Sequence, residues 1–160
     1  PTLSRLYYGH LYDILSSSYN GAYMAPWCDH FGALLPAQDF AGHLQFIVAR
    51  SDWVMSAAPD AVTKAIPKVS FQITTNGGAP LSVPAAMITL DGLGWVDVAE
   101  VRLSPSNTVV PLVWSSKTAW QASVPLSCGV NALSLQAFDR HGQAVGGDTL
   151  SVTRTGAGCP

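Results

Sequence analysis

The stretch Ile66-Pro67-Lys68-Val69-Ser70-Phe71-Gln72-Ile73-Thr74-Thr75-Asn76-Gly77-Gly78 decides the fold. Before it, apolar residues recur every three or four positions; from Val69 onward they recur every second one. Val69, Phe71 and Ile73 alternate with Ser70, Gln72 and Thr74, the rhythm of a half-buried strand. Asn76-Gly77-Gly78 then supplies residues that tolerate unusual backbone angles, the mark of a turn.

The same rhythm continues downstream. Ala99, Val101 and Leu103 alternate with Val98, Glu100 and Arg102, and Trp120, Ala122 and Val124 with Gln121 and Ser123. Leu133, Leu135 and Ala137 alternate with Ser134 and Gln136, and Leu150 and Val152 close the series. Turns are read at Asp91-Gly92, Ser104-Pro105-Ser106-Asn107, Cys128-Gly129 and Gly146-Gly147-Asp148. About seven short strands at this spacing predict an antiparallel sandwich of immunoglobulin type over residues 67–160.

Upstream, the period is helical. Leu3, Leu6, Tyr7, His10, Leu11, Ile14 and Leu15 make one stripe, broken by Ser16-Ser17-Ser18 and Asn20-Gly21. Trp27, Cys28, Phe31, Leu34 and Leu35 make a second, opened by Pro26 in its first turn and closed by Pro36. Asp39 is placed to cap a third helix carrying Phe40, Leu44, Ile47, Val48, Val54 and Met55, with Asp60 capping one further turn before Pro67. Residues 1–66 thus predict about three short helices with more apolar stripe than they can bury among themselves. The fold class is α+β, a short helical segment followed by a sandwich.

Composition narrows the function. The 160 residues are 48% hydrophobic, ample for a core, and only 11% charged, with a net charge of -2. Eight Lys and Arg against ten acids form no basic face, which excludes phosphate-driven nucleic-acid binding as the expected role. No apolar run reaches the ~20 residues of a membrane helix. Cys28, Cys128 and Cys159 lack any CxxC spacing. Two readings stand for them, a Cys128–Cys159 pair in the second half or three free thiols. The opening Pro1-Thr2-Leu3, with no Met and no leader pattern, reads as part of a longer protein.

Local catalytic signatures such as GxSxG, HExxH, a Walker loop or GxGxxG after a strand are absent from the sequence. A metal site would draw on His10, Asp13, Asp29, His30 and His43, since imidazole and carboxylate suit zinc or iron. His10 and Asp13 share a helix face, but capping or surface roles account for these residues more simply. A carbohydrate site would draw on Trp95, Trp114 and Trp120, whose flat faces can stack on sugars. Trp114 and Trp120 fall in phase with core residues, leaving Trp95, after Gly92-Leu93-Gly94, as the expected exposed platform. Asp139 and Asp148 could hold calcium, but two acids are few for that ion and an ordinary hairpin turn is the preferred reading of Asp139 to Gln143. No cofactor is expected.

Met87-Ile88-Thr89-Leu90, Asp97 to Val101, Val113-Trp114, Val124-Pro125-Leu126, Gly129-Val130-Asn131-Ala132-Leu133 and Ala137-Phe138-Asp139-Arg140-His141-Gly142 resemble a recurring immunoglobulin-like or fibronectin-like module of large secreted bacterial proteins. There it often follows a CotH kinase-like domain and precedes a lamin-tail-like one. The segment from Tyr7 to Met55, with Met24-Ala25-Pro26-Trp27 and Asp29-His30-Phe31, resembles the closing helices of the CotH-like region. The resemblance implies an extracytoplasmic, non-catalytic accessory module, secreted or attached to the envelope, whose partners are neighbouring domains of its own polypeptide or, alternatively, polysaccharide. A hydrolase or metal enzyme built on the His and Asp residues of the helical half is a further alternative.

Overall fold

The computed structural model describes residues 2–55, 66–156 and 159. The chain divides into two compact units, one from Leu6 to Pro67 and one joining the N-terminal residues through Arg5 to Lys68–Pro160.

Helices form over the predicted stripes, although Leu3, Leu6, Tyr7 and Ile14 of the first stripe remain exposed. α1 spans Thr2–Ser17, α2 spans Gly21–Leu34 and α3 spans Phe40–Met55. The start of α2 differs from the expectation. Asn20, not Pro26, opens it: the Asn20 side chain accepts from the Tyr23 N–H at 3.0 Å and donates to the Leu15 carbonyl at 3.0 Å. Pro26 lies inside the helix. An Asn placed to satisfy a first-turn N–H stabilises the start more than a Pro, which only avoids wasting one. Asp39 caps α3 as read, accepting from the Gly42 N–H at 2.8 Å. The turn predicted at Asp60 lies outside the described residues. No described helix is long and apolar enough to cross a membrane.

The second unit is a β-sandwich. Its strands are β1 (Gln72–Ile73), β2 (Leu81–Val83), β3 (Met87–Leu93), β4 (Glu100–Ser104), β5 (Thr108–Val109), β6 (Val113–Trp114), β7 (Ala119–Pro125), β8 (Gly129–Phe138) and β9 (Ala144–Arg154). One sheet runs β1-β3-β7-β6 and the other β2-β9-β8-β4-β5. All pairings are antiparallel except that of edge strand β2 with β9, which is parallel. Alternation along β3 and β7 turns Ile88, Leu90, Trp120, Ala122 and Val124 inward, where they meet Val101, Leu133, Leu135, Leu150 and Val152 of the facing sheet.

Two predicted turns are strand positions instead. Asp91-Gly92 lies within β3 and Gly146-Gly147-Asp148 within β9. In both cases a glycine makes room for an aromatic residue. Gly92 faces Trp120 across the β3–β7 pair, and a Cβ there would collide with the indole. A Cβ on Gly146 would lie 2.9 Å from that of Phe71, whose ring stacks on Trp120 at 5.4 Å and an interplanar angle of 10°. The β8–β9 connection is made instead at Asp139–Gln143, where the Asp139 carboxylate accepts the N–H groups of His141 and Gln143, each at 2.8 Å, and Gly142 takes a φ of +75°.

Cys128 and Cys159 form a disulfide with a Cα–Cα distance of 5.1 Å, settling the cysteine question left open by the sequence. Cys28 is a buried free thiol.

The two kinds of glycine separate by experiment. Gly92→Ala forces a methyl group into the Trp120 ring and is expected to cost about 3 kcal/mol, the upper range for overpacking a core. Gly77→Ala, with a φ of +63° and open space around it, is expected to cost about 1 kcal/mol from backbone strain alone. Urea unfolding of the two variants checks the order; equal losses would contradict the role given to Gly92.

Candidate functional site

A dense polar arrangement in the β-sandwich unit is built where β3 gives way to β4. The connecting residues Gly94-Trp95-Val96-Asp97-Val98 are apolar apart from Asp97, and Trp95 and Val96 are each only 1% exposed. Drawing a non-repetitive segment into the interior removes its carbonyl groups from water, and each then needs a donor. Arg5 supplies them. One terminal nitrogen of its guanidinium donates to the Gly94 carbonyl at 3.2 Å and the Lys117 carbonyl at 2.8 Å. The other donates to the Trp95 carbonyl and, at 3.1 Å, to that of Val98. The guanidinium carbon lies 3.2 Å from the centroid of the Trp114 ring. Four neutral oxygens and one aromatic face thus enclose a cation that is 6% exposed.

Burial acts on the ionisation of this group and its neighbour. Desolvation lowers the Arg5 pKa to about 10, against the opposing pull of Asp97. Asp97 is raised above its ordinary value, burial outweighing its own backbone N–H, Lys68 and Arg5. At neutral pH Arg5 keeps its charge.

The residues singled out from the sequence fall elsewhere or play other parts. Trp95, expected to be the exposed platform, is buried, because its loop packs inward once Arg5 satisfies the loop carbonyls. The Nζ of Lys68 lies 5.3 Å from its ring. Trp120 is core, as its phase suggested, and Trp114 is half-buried beneath Arg5. His10 and Asp13 lie on α1 and His30 on α2. Among the described residues, no group of three or more His, Cys, Asp or Glu comes together to hold a metal ion. Asp139 and Asp148 do not share a loop. Asp148 accepts from the Ile73 N–H at 2.7 Å and the Thr149 N–H at 2.8 Å.

The helical unit holds a separate apolar hollow of about 550 Å³, lined by residues including Met24, Trp27, Phe31, Phe40, Phe46 and Ile47. Trp27 stacks near Phe31, and Phe31 near Phe40, each with ring centroids 6.3 Å apart. Trp27 remains 49% exposed and Phe46 65%, in keeping with the excess of apolar stripe read from the sequence.

Sequence reasoning missed Arg5 altogether. The available signal was its isolation: it is the only Lys or Arg before Arg50.

No protein-family model matches the chain, and no curated protein matches it. Among solved structures, it is similar to the Bacteroides ovatus mixed-linkage glucan utilization locus protein SGBP-B, solved in complex with a mixed-linkage heptasaccharide. The identity is 18% and the TM-score 0.35, over 53% of this chain. The match spans 24% of that protein's length.

The raised pKa of Asp97 has a definite sign. The folded chain holds the Asp97 proton to higher pH than the unfolded chain does, so its stability falls as pH climbs through the raised value. Asp97→Asn removes that fall. The variant is therefore expected to gain on the wild type as pH rises above the ordinary aspartate value, as read by urea unfolding at stepped pH. A difference that is independent of pH would refute the assignment.

Proposed function

We propose that the chain is a non-catalytic spacing and docking module of a secreted or envelope-associated bacterial multidomain protein, with an immunoglobulin-like sandwich as its rigid body. One observation carries the reading: the β-sandwich unit is fastened to itself at both ends. At its start Arg5 is bound by four carbonyls that lie 89 to 112 residues away in sequence. At its finish Cys159 is bonded to Cys128. The sheet orders support the immunoglobulin-like description, since strands one, two, five and four of such a fold share one sheet and three, six and seven the other. In that correspondence β1, β3, β7 and β6 supply the first group and β4, β8 and β9 the second, while β2 and β5 are added edges.

Tension explains why such fastening suits a spacer. A pull entering beyond Cys159 passes through the disulfide to Cys128 and bypasses β8 and β9, which lie between the two cysteines. Those strands are also interior members of their sheet. A disulfide of this kind suits an oxidising compartment, which supports a place outside the cytoplasm. The neighbours proposed from the sequence resemblance are a CotH kinase-like domain before the chain and a lamin-tail-like domain after it.

Polysaccharide is the competing partner. Of the three indoles offered for it, two are interior and the third lies beneath Arg5, so binding through them would require the β3–β4 loop to open. Single-molecule pulling between handles placed at the two chain ends tests the spacer. With the bonded cysteines 31 positions apart in sequence, the oxidised chain is expected to lengthen by roughly 100 Å less than the reduced chain. The same extension in both states would show that the disulfide does not divert the pull from β8 and β9. Saturable retention on an insoluble polysaccharide, abolished by Trp114→Ala, would replace the spacer with a carbohydrate-binding module.

A further inference from the structure

The Arg5 arrangement has the properties of a receptor, not only of a structural tie. We propose that the loops bearing Gly94, Trp95, Val98 and Lys117, together with the face of Trp114, form a guanidinium-binding socket that recognises an arginine side chain presented by any segment, with Arg5 as its resident in cis. The proposal is independent of the spacer reading, because it concerns what the socket binds and not what the module holds apart.

The loops are held by bonds that do not involve Arg5. The Gly94 N–H donates to the Thr118 carbonyl at 2.8 Å, and the Val98 N–H to the Trp95 carbonyl at 3.2 Å. On the β6–β7 side, the Ser116 hydroxyl accepts from the Thr118 and Ala119 N–H groups at 3.2 and 2.9 Å, and the Ser115 N–H donates to the Ala119 carbonyl at 3.0 Å. Trp114 is fixed opposite Trp120 in the β6–β7 register. These bonds restrain the acceptors by contacts that are independent of the guanidinium, and restraint of this kind lowers the cost of binding.

Their geometry selects the chemical class. Two carbonyls converge on each terminal nitrogen, and an aromatic face lies against the plane of the group. A planar fork can meet both demands at once. A lysine ammonium, a single tetrahedral nitrogen with three donors and no flat face, cannot. No carboxylate is among the four acceptors, so the direct contacts recognise shape and dipole, with the charge of Asp97 adding a pull from beyond hydrogen-bond contact.

The test empties the socket and offers a guanidinium from outside. Arg5→Ala and Arg5→Met are prepared in the full chain, the second to retain apolar packing along the side-chain stem. N-acetyl-L-argininamide is titrated against each, with N-acetyl-L-lysinamide at matched ionic strength as control, and tryptophan fluorescence and thermal midpoint are followed. The expected result is a saturable response to the arginine derivative in both variants, at least about tenfold stronger than to the lysine derivative, and none in the wild type, whose socket is filled. Adding Trp114→Ala to either variant is expected to weaken the response about fivefold. If a variant does not fold alone, recovery of its circular-dichroism signal on adding the arginine derivative is the readout. Equal responses to the two derivatives, an equal response from the wild type, or no response and no recovery would each overturn the socket.

Discussion

The stacked pair of Phe71 and Trp120 is the constraint from which the β-sandwich unit follows. The Trp120 indole leans over its β3 partner position, which is therefore Gly92, and the Phe71 side chain is met by Gly146 in the opposite sheet. The cost is an indole N–H with no hydrogen-bond partner among the described residues. The area buried by two aromatic rings offsets an unpaired donor worth about 1–3 kcal/mol. The consequences run outward along the chain. Gly94 also lies against the cluster, with its would-be Cβ 3.2 Å from Trp114 and 3.3 Å from Phe71. The backbone therefore passes close over the rings, and the loop that follows must turn inward. Its carbonyls lose water there, and Arg5 replaces it.

That sequence of causes explains what could be read beforehand and what could not. Alternation in β7 and β8 was legible because each strand has one buried face, and a period of two needs no knowledge of the partner. The glycines of Asp91-Gly92 and Gly146-Gly147 were misread because one residue type serves two ends. It permits unusual backbone angles in turns and also permits close approach within strands, and only the ring lying opposite distinguishes the two. Trp95 was misread for a related reason. Glycines around an indole resemble an exposed loop, and the residue that lets this loop be buried is about ninety positions away. The parallel pairing of β2 was equally hidden, since a short edge strand carries no mark of its neighbour.

The helical unit obeys different physics. Helices of 14 to 16 residues are marginal alone, so their stability must come from packing. Stripe positions were legible for that reason, as was the Asp39 cap. The competition between Asn20 and Pro26 for the start of α2 was not, because both residue types favour helix beginnings and only the hydrogen bonds of the Asn side chain decide between them. The ring series of Trp27, Phe31 and Phe40 leaves much of its surface to solvent. The same stripe that announced the helices thus also announced the unfilled hollow between them. The His and Asp residues of this half supplied a chemically reasonable ligand list with no spacing to unite it, and the fold does not bring them together among the described residues.

The two fastenings of the sandwich differ in what can release them. The Cys128–Cys159 bond is covalent and yields to reduction. Arg5 is held by neutral carbonyls in a desolvated site, where salt screens little, and with a pKa of about 10 it stays protonated throughout the physiological range. Ionic strength therefore acts on it little, and acidification acts on it through Asp97, whose negative charge opposes the desolvation of the guanidinium. What acts on it directly is the alignment of four carbonyls in two loops, and that alignment is set by the aromatic stack beneath. A disturbance of Gly92 or Trp120 is therefore transmitted to Arg5 through backbone position and not through charge. The N-terminal fastening is in this sense a reporter of core packing, whereas the C-terminal one reports the redox state of the surroundings.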